Sequence, residues 1–391
     1  MDKGRRGRDK QARAERALTE FPILQFGASR FLQAHVDLFV SEALPRGEAM
    51  GRIAVAGTTG SPESHRRIAA FAAGRPYPVL VKGLKDGAVT DEKVEVSSVG
   101  AGLDAATQWD ALERLFIGAR CAVSNTADRG YETHPDDRPD GSPPKSFPAK
   151  LAKLLLARHR AGAEPITLFP CELTPGNGQV LRGVVLDRLE SWQASPEARR
   201  WVAEECLWVN SLVDRIVSEP LEPLGAVAEP YALWAIEDQP GLELPCRHRA
   251  IVVAADLKPY ERLKLFILNL GHTWLAEIWA RRGGAPDLTV REAMADEAMR
   301  AKLDALYEEE VMPVFGAIGM GDEANAYLKT VIERLSNPFL DHRLAEIHMN
   351  HEAKKRRRLG GLVDLARTNG VTVKLARLKA ALSNGGERAG R

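Results

Sequence analysis

Hydrophobic positions in the first half of the chain follow two alternating rhythms. Short unbroken apolar runs lie in "FPILQFG", "GRIAVAGTTG", "ARCAVSNT" and "ITLFPCEL". Glycine, proline or polar residues bound them, and they read as buried strands. Between them, "FLQAHVDLFVSEAL", "ATQWDALERLF" and "AKLLLARHR" place apolar residues at helical spacing. "YPVLVKGLKDGAVTDEKVEVSSV" reads as a hairpin turning at Asp86-Gly87, and "THPDDRPDGSPPKSFP" as a polar loop. Strands alternating with helices predict a parallel sheet covered on both faces.

After "HRAIVVAADLKPY" the pattern becomes helical almost throughout, from "LTVREAMADEAMRAKLDALYEEEVMPVFGAI" to "HRLAEIHMNHEAKKRRRLGGLVDLA". The boundary is placed near Arg249. The expected organisation is a basic, disordered arm (1–20), an α/β domain (21–248), a mostly helical substrate and catalytic domain (249–383), and a frayed tail (384–391).

Composition narrows the function classes. The 391 residues are 45% hydrophobic, enough for two sizeable cores, and the formal charge is +1. That balance argues for neither a nucleic acid nor a membrane surface as partner. The four cysteines, Cys121, Cys171, Cys206 and Cys246, lie far apart, which suits reduced cytosolic thiols. No apolar run reaches the ~20 residues of a membrane span. The N-terminal "MDKGRRGRDKQARAER" lacks the apolar core of a secretory signal, so a cytoplasmic protein is expected.

"ILQFGASRFLQAH" reads as strand, glycine turn and helix, the place where a doubly wound domain cradles a pyrophosphate. The usual fingerprint has three glycines. Here only Gly27 is present, with Ser29 where a second would stand, so read alone the stretch is better explained as an ordinary strand–helix turn needing one flexible residue. No acid ends the second strand to hold a ribose 2′-hydroxyl. Nearby His65, Arg66 and Arg67 leave NADP open beside NAD.

In "ERLKLFILNLGHTWLAE", Lys264, Asn269 and His272 interrupt an otherwise apolar helix. At ~100° per residue, His272 falls ~80° and Asn269 ~140° from Lys264, so the three share a broad stripe. A buried lysine tends to lose its proton and can then act as a base. Asparagine can donate to an oxygen that becomes anionic. Histidine can orient a hydroxyl. Together they suit oxidation of a secondary alcohol without a metal. The alternative is a lysine that reaches solvent beside two polar groups bonded to nearby backbone.

"DLKPYERLKLFILNLGHT" resembles the catalytic helix of the mannitol dehydrogenase family, the polyol-specific long-chain dehydrogenases, whose pattern is K-x-x-x-x-N-x-x-H. "QFGASRFLQAHVD", "VSNTADRGY", "SFPAKLAKLL", "PCELTPGNG", "NSLVDRIV" and "RLSNPFLDHRL" fit in the same order, from Gln25 to Arg343. "PCEL", "VSNT", "FPAKL" and "DLKPY" resemble the branch that reduces keto sugar acids. The resemblance implies a Rossmann-like domain followed by a helical domain, NAD as cofactor, and a sugar acid or polyol as substrate in a monomer or homodimer. It implies Lys264 as general acid/base, Asn269 as oxyanion donor and His272 as substrate contact. Gly27, Ala28, Ser29 and Phe31 would flank the pyrophosphate. Ser124, Asn125 and Thr126 would complete the cofactor site, with Asn125 on the nicotinamide side. Asp214, Arg215, Arg334 and Asn337 would line the substrate.

The chain departs from the pattern at Leu173, where many relatives have an asparagine, and at Ser29. Fructuronate or a neutral polyol remains an alternative substrate, and a non-catalytic nucleotide sensor the alternative from another class. The basic run Lys354–Arg358 is expected to be a solvated helix end, and His348 and His351 to lie on a surface helix with no metal.

Overall fold

A computed structural model describes residues 20–126, 130–141 and 143–383. The expected arm, all but its last residue, and the expected tail lie outside the described residues. Contacts divide the chain into two compact units. Among the described residues the first comprises those of 20–81, 92–228 and 232–257, and the second those of 82–91, 229–231 and 258–383.

The first unit is built on a parallel sheet. Among the described residues its strands are β1 (Ile23–Phe26), β2 (Ile53–Gly57), β5 (Val99–Asp104), β6 (Cys121–Ser124), β7 (Thr167–Pro170) and β8 (Leu207–Trp208). They lie in the order β5-β2-β1-β6-β7-β8, every pair parallel. Counting only these six, the order is 3-2-1-4-5-6, the doubly wound arrangement, with its switch point between β1 and β6. β1, β2, β6 and β7 are buried at every position, as a sheet covered on both faces requires. Alternation sorts their side chains. Ile23, Val55 and Phe169 join one core with Phe39 and Trp234. Leu24, Phe26 and Leu168 join the other with Leu112, Phe116 and Leu155.

The hairpin forms as predicted. β3 (Tyr77–Lys85) and β4 (Ala88–Val96) turn at Asp86 (φ 54°) and Gly87 (φ 78°). Two successive positive φ values define the type I′ turn, which Asp-Gly favours. A second sheet runs β10 (Val217–Pro220), β11 (Ala226–Ala228), β3, β4. A third runs β13 (Ile251–Ala254), β12 (Leu233–Glu237), β9 (Ser211–Asp214). β13 still pairs in parallel with β12. The change of character expected at Arg249 therefore comes at Leu257, because Ile251–Ala254 continue the first unit's sheet.

The second unit has no strand among its described residues from Lys258 onward. Its core gathers Leu270, Leu275, Leu303, Tyr307, Phe315, Val331 and Leu359 around one long helix. That helix runs from Lys258 to Arg281 and is interrupted by a π-helical turn at Lys264–Asn269. Among the described residues no helix is long and apolar enough to cross a membrane.

Candidate active site

In the first unit the expected cofactor residues meet at the carboxyl ends of β1 and β6, which is the switch point. Gly27 has φ +106°, and a Cβ on it would lie 2.7 Å from the Asn125 carbonyl oxygen. Only glycine allows both that conformation and that approach. Ser29 does not need to be glycine. It sits in the extended region (φ −69°, ψ 147°) and caps the short helix Arg30–Gln33 through its hydroxyl, which accepts from Leu32 N–H at 3.2 Å. The same hydroxyl donates to Asn125 Oδ1 at 3.0 Å, and Asn125 Nδ2 donates to the Cys171 carbonyl at 2.8 Å.

Glu172 is an anchor that the sequence reading passed over. Its buried carboxylate accepts from the Ser124 hydroxyl (3.1 Å), from the Thr126 N–H and hydroxyl (both 3.0 Å), and from the Tyr131 hydroxyl (3.0 Å). Burial, reinforced by Glu172, pushes the Tyr131 phenol far up, so it remains a donor. Asn177 Nδ2 holds the Pro170, Glu172 and Ser211 carbonyls. Ser124, Asn125 and Thr126 are thus fastened from behind. Leu173, beside Glu172, is 73% exposed and supplies no donor side chain.

Phe31 stacks on His35, with ring centroids 4.7 Å apart. The helix predicted over "FLQAHVDLFVSEAL" breaks at Ala34–His35 and resumes at Val36–Ala43. The His35 Nε2–H donates to the Leu233 carbonyl, and Arg215 Nη1 donates to the Ala34 carbonyl. Arg215 therefore holds this break. Asp214 is buried at the end of β9, opposite Leu233.

In the second unit, Lys264 and Asn269 open and close the π-helical turn. Leu270 N–H bonds back five residues to the Leu265 carbonyl. The turn is wider than an α-turn, so residues five apart approach one flank. The ~140° separation predicted from α-geometry is corrected accordingly. Three successive carbonyls in this stretch are each taken by a side chain. Tyr307 Oη donates to Ile267 O (2.9 Å), His272 Nδ1 to Leu268 O (3.1 Å), and Thr273 Oγ1 to Asn269 O (3.0 Å). Phe266–Leu268 and the residues from Leu270 to Ile278 are buried; Lys264 and Asn269 are half-buried, less enclosed than predicted.

His272 is buried. Desolvation, followed by the positive fields of His342, Arg358 and Arg334, pulls its pKa down to about 3. It is neutral at ordinary pH. Because Nδ1 faces a carbonyl, Nδ1 carries the proton and Nε2 is an acceptor. Neither Nε2 nor the Asn269 carboxamide bonds a described residue.

Arg334 is buried with its Nε and Nη2 on the Glu229 carboxylate (3.1 and 2.8 Å), Nη1 on Tyr327 Oη, and its guanidinium over the Tyr231 ring. Asn337 bridges the Lys82 carbonyl and the Phe339 N–H. The basic run corrects a second expectation. Lys355 is 2% exposed and ion-paired to Glu277 and Glu352, and Arg358 turns inward. His351 is likewise buried against Glu277 at 2.8 Å.

The class these parts define is the doubly wound α/β oxidoreductase extended by a helical unit. Residues 22–244 match the mannitol dehydrogenase Rossmann domain, and residues 256–384 the mannitol dehydrogenase C-terminal domain. The chain is 31% identical to the altronate oxidoreductase of Bacillus subtilis (strain 168) over 379 residues, covering 90% of this chain and 77% of that protein. It is 30% identical to the altronate oxidoreductase of Halalkalibacterium halodurans, covering 86% and 69%. The fold is similar to a substrate-free D-sorbitol dehydrogenase (TM-score 0.80, 21% identity, 94% of this chain and 81% of that one). It is also similar to Pseudomonas fluorescens mannitol 2-dehydrogenase in its ternary complex with NAD and D-mannitol (TM-score 0.71, 20% identity, 94% and 79%). The chain belongs to the mannitol dehydrogenase family and is a dehydrogenase of the polyol and uronate kind.

Proposed function

We propose that the protein is an NAD-dependent oxidoreductase interconverting an open-chain keto sugar acid and its hydroxy acid, with D-tagaturonate and D-altronate as the pair. The observation that carries this reading is the widened turn that brings Lys264 and Asn269 toward one flank, with a neutral His272 beyond them. The names of the altronate oxidoreductase relatives support the substrate pair.

Bound nicotinamide supplies the hydride acceptor in one direction and the donor in the other. Lys264, in its neutral form, takes the proton of the reacting hydroxyl during oxidation and returns it during reduction. The Asn269 amide donates to the same oxygen as negative charge develops there. His272 Nε2 accepts from a neighbouring substrate hydroxyl and fixes its orientation. Its imidazole stays neutral, so the proton chemistry rests on the lysine.

The residues at the switch point fit a dinucleotide. Gly27 leaves bare backbone there, Ser29 opens a helix, and Asn125 stands at the end of β6. NAD is favoured over NADP. Of the three basic residues after β2, Arg67 is paired with Glu63 (2.5 Å) and His65 with Asp104 (3.0 Å), leaving Arg66 alone to meet a 2′-phosphate.

The test follows NADH with D-tagaturonate, D-fructuronate and D-fructose, for wild type and Lys264→Ala. Turnover of D-tagaturonate is expected, with kcat ~10²–10⁴-fold lower in the variant. Undiminished turnover in Lys264→Ala would remove the lysine from the mechanism. A preference for D-fructose would move the substrate class to neutral ketoses.

A further inference from the structure

A sugar-acid substrate needs a cation, and the second unit carries one whose charge no carboxylate among the described residues balances. Arg358 lies in the π-helical turn Arg356–Gly360. This turn packs closely on the helix that bears Lys264. A Cβ on the adjacent Gly361 would lie 3.0 Å from the Phe266 ring, so glycine permits the approach. Arg358 Nη1 donates to the Asn269 carbonyl (3.2 Å) and to the Thr273 hydroxyl (2.9 Å), while its buried Nε has no partner. Its charge also reaches His272. The guanidinium is therefore held against the stretch that carries the proposed oxyanion donor and the substrate-orienting histidine.

The other cations of this region are engaged with acids. Arg334 forks onto Glu229, Lys355 pairs with Glu277 and Glu352, and Arg281 with Glu277. Arg358 alone among these four has no acidic partner among the described residues. Burial and Arg357 pull its pKa down to about 10, which still leaves it charged at neutral pH. A half-buried charge held only by a carbonyl and a hydroxyl is expensive to keep unless an anion arrives. A planar fork is also the group best suited to a carboxylate.

We infer that Arg358 receives the carboxylate of the sugar-acid substrate and sets the preference for acids over neutral polyols. This deepens the function proposed above and rests on it. Arg334, which the resemblance places along the substrate, cannot present the same fork because Glu229 already fills it.

The quantity to measure is the ratio of kcat/KM for D-tagaturonate to that for D-fructose, in wild type, Arg358→Gln and Arg358→Lys. In parallel, D-gluconate and D-mannitol binding is followed by calorimetry. Arg358→Gln is expected to lower the acid-to-neutral ratio ~10- to 100-fold, chiefly through KM, and to weaken D-gluconate but not D-mannitol binding. Arg358→Lys, which keeps the charge without the fork, carries the test if the glutamine variant does not fold. It should lose acid preference by a smaller factor than the glutamine variant. Equal losses on both substrates in the folded variant would mean that Arg358 only supports the Asn269 carbonyl, and would overturn the inference. The wild-type ratio tests the substrate class separately. If wild type favours D-fructose, the proposed function fails whatever the variants do.

Discussion

Gly271 offers the sharpest test of why the helix that bears Lys264 winds as it does. It follows the π-helical turn and faces Tyr307, which is 1% exposed. A Cβ at position 271 would lie 2.0 Å from Tyr307 Oη and 3.2 Å from its Cζ. Gly271→Ala must therefore expel the hydroxyl that donates to the Ile267 carbonyl. Two losses follow. A buried carbonyl without its donor costs ~1–3 kcal/mol. The displaced ring is overpacked, at ~1–3 kcal/mol. Alanine's better helix propensity returns ~1 kcal/mol. The net expectation is destabilisation of ~1–5 kcal/mol, centred near 3.

A double-mutant cycle with Tyr307→Phe isolates the cause. Tyr307→Phe alone forfeits the same hydrogen bond, at ~1–3 kcal/mol. Once the hydroxyl is gone, the alanine methyl meets only Cζ at 3.2 Å, a contact relieved by a small shift. The double variant should thus lose less than the sum of the singles, with a coupling of ~1 kcal/mol or more. Urea unfolding of the four proteins reads this directly. Turnover should fall further in Gly271→Ala than in Tyr307→Phe, because the methyl also disturbs the π-helical turn that carries Lys264 and Asn269. An alanine variant within ~0.5 kcal/mol of wild type, or singles that simply add, would refute the account.

Two further outcomes follow from buried charges. Burial raises the Asp37 carboxyl from 3.8 to about 7. Between about pH 4 and pH 7 the unfolded chain has lost a proton that the folded protein keeps, so this residue makes stability fall as pH rises through that window. The loss is on the order of 4 kcal/mol and complete above pH 7. Asp37 Oδ1 and Gln25 Oε1 are both buried, and neither has a hydrogen-bond partner among the described residues. Asp37→Asn should therefore come close to wild type in urea unfolding near pH 4 and exceed it at pH 8; an unchanged pH dependence would show that Asp37 is ionised in the fold. Glu229→Ala strands the buried Arg334 guanidinium and should cost ~3–5 kcal/mol in the same assay. Pairing Glu229→Leu with Arg334→Met should restore most of it, and a single variant as stable as wild type would show that the pair contributes little.

What could be read from the chain, and what could not, divides by the range of the interaction. The Asp86-Gly87 turn and the fully apolar strands follow from local rules, and they appear where those rules put them. Gly27 was legible as a flexible point. Its partner, the Asn125 carbonyl, is contributed by a strand nearly a hundred residues later, so no fingerprint could reveal why glycine is needed. The wheel drawn through Lys264, Asn269 and His272 used the α-helical angle. The π-helical turn depends on Tyr307 and Thr273 satisfying the carbonyls that the wider winding frees, and Tyr307 comes from another helix. Five consecutive basic residues at Lys354–Arg358 suggest a solvated end when composition alone is weighed. Their helix instead turns one residue in three inward, at Lys355 and Arg358, and composition carries no phase. Glu172 was visible only as the acid before Leu173. Its role comes from Ser124, Thr126 and Tyr131 converging on it across about forty residues. In each case the residue type was readable and the partner was not. The partner decides whether a charge is a structural pair, as at Arg334, or is left to meet a ligand, as inferred for Arg358.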